Sequence, residues 1–313
     1  MTIPTSRELE AIKNLKQISR EEFLLPGTAV CGGCGGLEAL RLAAKVLGPK
    51  TVFVNAAGCF TLLAVFPYTP LKGSWLYTTM ASAAAGAQGV RDALDVLIER
   101  GKMRAEDNVE VVVVAGDGST YDMAMSSISG AIFRDLDFWY FCYDNESYGN
   151  TGMQMSSATP YGARTATTPI SARTQAGTEH GKKDLFEIWR AHRPAYLATV
   201  SPRYPVDLTN KFLKAKSRRG PKLFIAHAPC PTGWLYDPAY TAEYARLAVD
   251  TGLFALKEAI DGTVTHTHVP RRRRPVADYL QGQGRYRHLF EPERNEAAIQ
   301  QIQAQVDRYW ERV

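Results

Sequence analysis

Val109-Glu-Val-Val-Val-Val-Ala-Gly-Asp-Gly-Ser119 is an apolar run that ends on an aspartate between two glycines. A strand covered on both faces of a parallel sheet reads as such a run. Glycine directly after it lets the backbone approach a ligand, and a helix N-terminus beyond favours negative charge. Asp117 would then set a hard oxygen beside a bound diphosphate, the ligand type that Mg²⁺ takes. Gly116, Gly118 and Ser119 complete the turn. Read alone, the same residues also suit a tight turn with Asp117 as helix N-cap.

Outward from this run, strands and helices alternate. The pattern predicts a helix over 121–134 and a second buried strand over 137–143, Asp-Phe-Trp-Tyr-Phe-Cys-Tyr. Upstream it predicts a strand over 51–55 and an Ala-rich helix over 81–100. Downstream it predicts helices over 184–192 and 206–216 and strands over 196–200 and 223–227. Alternation of this kind implies an α/β fold, a mostly parallel sheet with helices on both faces. Ligands in such folds bind at the carboxyl ends of the strands. Four segments fall there: 55–59, 116–119, 144–152 and 229–234. Residues 156–183, rich in Ser, Thr, Ala and Gly, read as a long functional loop. Beyond 234 the pattern predicts a helix over 241–260, a basic arm and a last helix over 293–312. The expected division is an N-terminal extension (1–26), a cofactor-binding domain (27–235) and a C-terminal helical arm that contacts other subunits (236–313).

With 45% hydrophobic and 22% charged residues, the 313-residue chain can bury a large core without disulfide staples. No apolar run is long enough to span a bilayer, and residues 1–20 lack the apolar segment of a signal peptide. The cytoplasm, where thiols stay reduced, is the expected compartment. Net charge is +5, and Arg271 to Arg274 supply much of it. That run has no interleaved aromatics and is flanked by Pro270 and Pro275. It reads as an arm that docks on another subunit rather than a nucleic-acid site.

Asn145 ends the second buried strand. Adjacent parallel strands would bring it beside Asp117, where its amide oxygen and the Ser147 carbonyl can complete a Mg²⁺ site. Asn150-Thr151-Gly152 extends the same loop. Cys31, Cys34, Cys59 and Cys230 all lie among glycines or prolines, as loop residues do, and five cysteines fit poorly with a disulfide framework. One close pair with two distant thiols suits an iron–sulfur cluster. Zinc on four thiolates stays open from the residues alone, and with it a non-redox enzyme. Cys142, between Phe141 and Tyr143, reads as core. Gly33-Cys-Gly35 lacks the third glycine of a dinucleotide-binding turn, because position 38 is Glu.

Together these segments resemble the β subunit of the 2-oxoacid:ferredoxin oxidoreductases, nearest the pyruvate branch. The matching stretches are Cys31-Gly-Gly-Cys34-Gly, Asn55-Ala-Ala-Gly-Cys59, Phe66-Pro-Tyr-Thr69, Gly116-Asp-Gly118, Tyr143-Asp-Asn-Glu146, Asn150-Thr-Gly152, Ser156-Ser-Ala-Thr-Pro160 and Ala228-Pro-Cys-Pro-Thr-Gly-Trp234. The resemblance implies a thiamine-diphosphate-binding fold. It implies a [4Fe–4S] cluster on Cys31, Cys34, Cys59 and Cys230, and Mg²⁺ on Asp117, Asn145 and Ser147. Gly58, Gly116, Asp117, Gly118, Ser119, Asn145 and Gly152 would hold the thiamine diphosphate. Asn150 and Thr151 would face the thiazolium or the substrate. The implied reaction is oxidative decarboxylation of a 2-oxoacid, with single-electron transfer to the cluster and usually an acyl product on coenzyme A. The implied partners are an α subunit that completes the thiamine site, a γ subunit and a ferredoxin-like δ subunit. Two stretches depart from the pyruvate pattern: Met80-Ala81-Ser82, where an aromatic-Glu-Asn stretch is expected, and Phe60-Thr61, where Leu-Glu is common. Both are expected to line the site, so phenylglyoxylate and oxalate stand beside pyruvate as substrates.

Overall fold

The computed structural model describes residues 10–107, 109–172 and 174–313. The first nine residues of the expected N-terminal extension lie outside the described residues. In chain order the helices and strands are α1 (Gly35–Leu47), β1 (Thr51–Ala56), β2 (Ser74–Thr78), α2 (Ala83–Glu99), β3 (Glu110–Gly116), α3 (Met125–Phe133), β4 (Trp139–Asp144), α4 (Leu185–Ala191), β5 (Tyr196–Val200), α5 (Pro205–Lys216), β6 (Lys222–His227), α6 (Pro231–Trp234), α7 (Thr241–Asp250), β7 (Leu256–Ile260), β8 (Thr263–His268), α8 (Ala277–Leu280) and α9 (Glu296–Trp310).

The eight strands of the described residues form one sheet in the order β2-β1-β3-β4-β6-β5-β7-β8. The six from β2 to β5 run parallel, and β7 and β8 pair antiparallel at one edge. The apolar run of β3 is buried on both faces because alternate side chains enter two cores. Val111 and Val113 pack with Ala84 and Ala87 of α2 and Ile128 of α3. Val112 and Val114 pack with Leu40 of α1 and Phe212 of α5. Trp139, Phe212 and Phe224 stack in the second core, with Phe212 and Phe224 centroids 4.0 Å apart. Cys142 is fully buried in the first.

Three expectations change. The helix over 121–134 is split: Gly118–Met123 is a π-helical turn and α3 starts at Met125. The helix over 241–260 stops at Asp250, and Gly252, with φ +81°, turns the chain into β7. The C-terminal part is therefore not a helical arm alone; it supplies two strands to the main sheet. Its helices pack back through a third core that includes Trp234, Tyr279, Leu289, Ile302 and Trp310.

Candidate cofactor site

The four candidate segments follow β1, β3, β4 and β6, which are adjacent in the sheet. Parallel pairing aligns their ends: Gly116 pairs with Tyr143, and Asp144 with His227. A cavity of about 140 Å³ opens there. Gly58, Gly116, Gly118, Ser119, Asn145, Ser147, Asn150 and Thr151 all line it, with Cys59 at one side. Gly152 does not line it; its φ of +110° serves the turn that returns the loop to Met153.

Asp117 is 0% exposed beneath this floor. Burial pushes its carboxyl well above the usual range, and the nearby Asp144 charge adds to that. The Ser156 hydroxyl, donating to Asp117 Oδ2, opposes it. Asp117 Oδ1 lies 2.6 Å from the Asn145 side-chain oxygen, which lies 2.8 Å from the Ser147 carbonyl. Three oxygens thus converge. A cation at that point removes the repulsion, as does a proton on Asp117 or turning the Asn145 amide over. The donor set fits Mg²⁺.

Two glycines are required by packing here. A Cβ on Gly118 would enter the Tyr148 ring, and one on Gly149 would stand 2.7 Å from Asn145 Nδ2 and 3.2 Å from Cys59 Sγ. The Ser119 hydroxyl donates to the Met80 carbonyl at 2.5 Å, pinning the 80–82 segment to the floor. Thr151 spends its hydroxyl on Gln154 Oε1 at 2.5 Å, whereas the exposed Asn150 amide has no hydrogen-bond partner. Tyr143 carries a buried phenol with no partner at the cavity wall and stacks on Phe60, centroids 4.0 Å apart. Of the departing stretches, Thr61 and Met80 line the cavity. Phe60 is fully buried against Tyr143, and Ala81 and Ser82 lie outside the lining.

The cysteines gather beside this cavity. Cys34 caps α1, whose Gly35 N–H donates to the Pro229 carbonyl next to Cys230. Thr241 Oγ1 donates to the Gly33 carbonyl at 2.6 Å and ties the Cys31–Cys34 loop to α7. Burial pushes the Cys34 and Cys59 thiols up to about 12, and each feels Cys230 and Cys31 as neighbouring charges. Burial also raises the Cys230 thiol. Among the described residues, no three His, Cys, Asp or Glu side chains stand close enough to hold a single metal ion. Asn145 joins the two sites: its Nδ2 donates to Cys59 Sγ at 3.8 Å.

Several residues behind the site have no sequence signature. Glu146, with φ +66°, is held by Lys182 at 3.2 Å and Arg285 at 2.7 Å. Burial opposes its ionisation, but Lys182 and Arg285 outweigh burial and bring its pKa down to about 2. Trp234 Nε1 donates to the Asn145 carbonyl at 3.0 Å, and the Arg285 guanidinium lies 4.0 Å over the Trp234 ring. Arg285 therefore braces the Asn145 loop and the Cys230 loop from the C-terminal part of the chain.

A cavity at adjacent strand ends, with oxygen donors beneath its floor, fits the class of thiamine diphosphate enzymes. The family model described as thiamine pyrophosphate enzyme, C-terminal TPP binding domain, matches residues 56–226. The pyruvate synthase subunit PorB of Methanothermobacter thermautotrophicus is 44% identical over 279 residues, covering 89% of this chain and 94% of that protein. The ketoisovalerate oxidoreductase subunit VorB of Pyrococcus horikoshii is 37% identical over 307 residues, covering 97% and 96%. Among solved structures, the 2-oxoglutarate:ferredoxin oxidoreductase from Magnetococcus marinus aligns with a TM-score of 0.54 at 19% identity, over 78% of this chain and 84% of that one; this likeness is one of fold. The chain belongs to the thiamine-diphosphate-binding β subunits of the 2-oxoacid:ferredoxin oxidoreductases.

Proposed function

We propose that the chain holds Mg²⁺–thiamine diphosphate on Asp117, Asn145 and the Ser147 carbonyl, and a [4Fe–4S] cluster on Cys31, Cys34, Cys59 and Cys230. Bound there, the thiamine would supply an electron sink for decarboxylation of a 2-oxoacid and the cluster a one-electron acceptor. Asn145 is the observation that carries this reading. One side chain faces the oxygen triad and donates to a cluster cysteine, so the two groups would stand side by side. One close pair of thiols, Cys31 and Cys34, with Cys59 and Cys230 distant in sequence supports a cluster over zinc.

The chain's own residues bind and orient. Gly118 and Gly149 leave room at the floor, Ser119 fixes Met80 at the wall, and Asn150 is the side chain free to meet substrate. No Asp or Glu lines the described cavity, so the carboxylate that thiamine needs would come from a partner. The PorB and VorB relatives are named as subunits, which supports a complex with α, γ and ferredoxin-like δ chains. Those names favour a small aliphatic 2-oxoacid, pyruvate first, over phenylglyoxylate or oxalate. Coenzyme A is the proposed acyl acceptor.

An anaerobic panel of 2-oxoacids on the intact complex, with a viologen dye as acceptor, tests this. Pyruvate should reduce the dye, faster with coenzyme A. Zinc without iron or sulfide in the anaerobically purified protein would overturn the redox reading.

A further inference from the structure

A second cavity, larger than the one at the cofactor site, lies behind it. Its volume is about 340 Å³ and it shares no lining residue with that site. Strand alternation separates them: along 143–147, Tyr143, Asn145 and Ser147 line the cofactor cavity, whereas Asp144 and Glu146 line this one. Its floor is the sheet face made by Asp144, His227, Thr199 and Lys257, from β4, β6, β5 and β7. Its roof is α9, through Ile302 and Val306.

Polar groups stand at two ends with an apolar middle between them. At one end, Asp144 Oδ1 and His227 Nδ1 are buried without a hydrogen-bond partner. At the other, the Lys257 ammonium makes no hydrogen bond among the described residues. The Phe186 ring lies 4.1 Å and the Tyr309 ring 5.0 Å from it, and its nearest carboxylate, Glu187, is 4.0 Å away. The ends are three strand spacings apart, ~14 Å at the backbone, and the side chains shorten that gap. Phe254, Tyr279 and Tyr286 add aromatic surface between them. A largely apolar pocket with a few placed polar groups is the usual form of a small-molecule site.

We propose that this cavity is a second ligand site, for a small aryl carboxylate that bears a hydroxyl. The carboxylate pairs with Lys257, the ring lies among the aromatic side chains, and the hydroxyl donates to Asp144 Oδ1 or His227 Nδ1. Through Glu146 and Lys182 the bound molecule touches the back of the loop that carries Asn145 and Ser147. This site stands on its own lining residues and is independent of the cofactor assignment.

The test uses the intact complex and 4-hydroxyphenylacetate, with phenylacetate and 4-methylphenol as probes that lack one end each. Calorimetry should show one saturable site per chain that persists at saturating 2-oxoacid. Each truncated probe should bind at least about tenfold more weakly, as loss of one good polar contact predicts. Lys257→Met should weaken 4-hydroxyphenylacetate by a similar factor and leave 4-methylphenol unchanged. Ala248→Leu, which fills the cavity from α7, should abolish binding of all three. No saturable binding at millimolar probe, displacement by the 2-oxoacid, or equal binding to Lys257→Met would overturn the proposal. Melting curves and the visible spectrum of each variant separate loss of the site from loss of the fold.

Discussion

Asp117 and Cys230 allow the two proposed cofactor sites to be tested separately at the level of single side chains. Asp117→Ala removes one of three converging oxygens and should cut Mg²⁺–thiamine diphosphate retention by at least about a hundredfold, the weight of a lost charged ligand. The brown absorbance of the cluster should persist. Cys230→Ala should do the reverse, with iron and sulfide lost and thiamine diphosphate still recovered on extraction. Equal loss of both groups in both variants would leave no case for two sites. Gly118→Ala probes the floor, since its methyl would force the Tyr148 ring aside. Overpacking of this kind costs about 1–3 kcal/mol, read as a weaker thiamine diphosphate titration with the cluster spectrum unchanged. Asp117, Gly118 and the cysteines stood out as candidates because glycine, a carboxylate and thiols at loop positions carry a local chemical mark. Ser156, Lys182 and Arg285 did not, since a serine in a long loop and two cations carry no local mark of what they will face.

At the scale of elements, the buried charges behind the site make the sharpest predictions. Arg285 and Glu146 form a pair with both side chains buried. Arg285→Met leaves the carboxylate with Lys182 as its remaining cation, which should cost up to about 3 kcal/mol in denaturant unfolding. Adding Glu146→Gln should recover part of that loss, because the buried group that lost a partner is then neutral and Lys182 keeps Asp144. His227 ends β6, and burial lowers its pKa to about 3; Glu146 pulls upward while Lys182 and Arg285 push down. The unfolded chain takes up this proton near pH 6.5 and the folded chain near 3, so the unfolded state binds more protons between them. Stability is therefore lost as pH falls through that window, by on the order of a few kcal/mol from this group. A His227→Asn variant should show a flatter decline in melting temperature from pH 6.5 to 4; an unchanged slope would refute the assignment. The strands β3, β4, β5 and β6 follow their apolar runs closely. α1 and β2 escaped notice. α1 opens on glycines inside the Cys31–Cys34 segment, and β2 is an edge strand with three of five residues exposed.

For the whole molecule, the cofactor cavity has no acidic lining residue, and large apolar side chains are left bare. Phe66 is 96% and Phe133 88% exposed. The isolated chain should therefore reduce no dye with any 2-oxoacid, and activity should return only on mixing with its partner subunits. Turnover by the chain alone would show that its carboxylate is supplied internally. The C-terminal part behaves differently from its sequence. Its helix pattern broke at Gly252, and the residues that follow became the antiparallel edge of the sheet. A strand of five residues after a helix gives little periodic signal, and pairing with β5 outweighs local preference.

By itself the sequence determined the parallel α/β class, the strand-end loops and the candidate ligands, because period and residue chemistry are local properties. The apolar run from Val109 and the Gly-Asp-Gly turn after it were the starting point, and the alternation on either side and the loop cysteines supplied the rest. Only the tertiary structure decided that β1, β3, β4 and β6 stand side by side, that Asn145 reaches both Asp117 and Cys59, and that Arg285 braces the site from the far end of the chain. These are contacts between residues tens to hundreds apart in sequence, and nothing in the local sequence around any one of them specifies its partner.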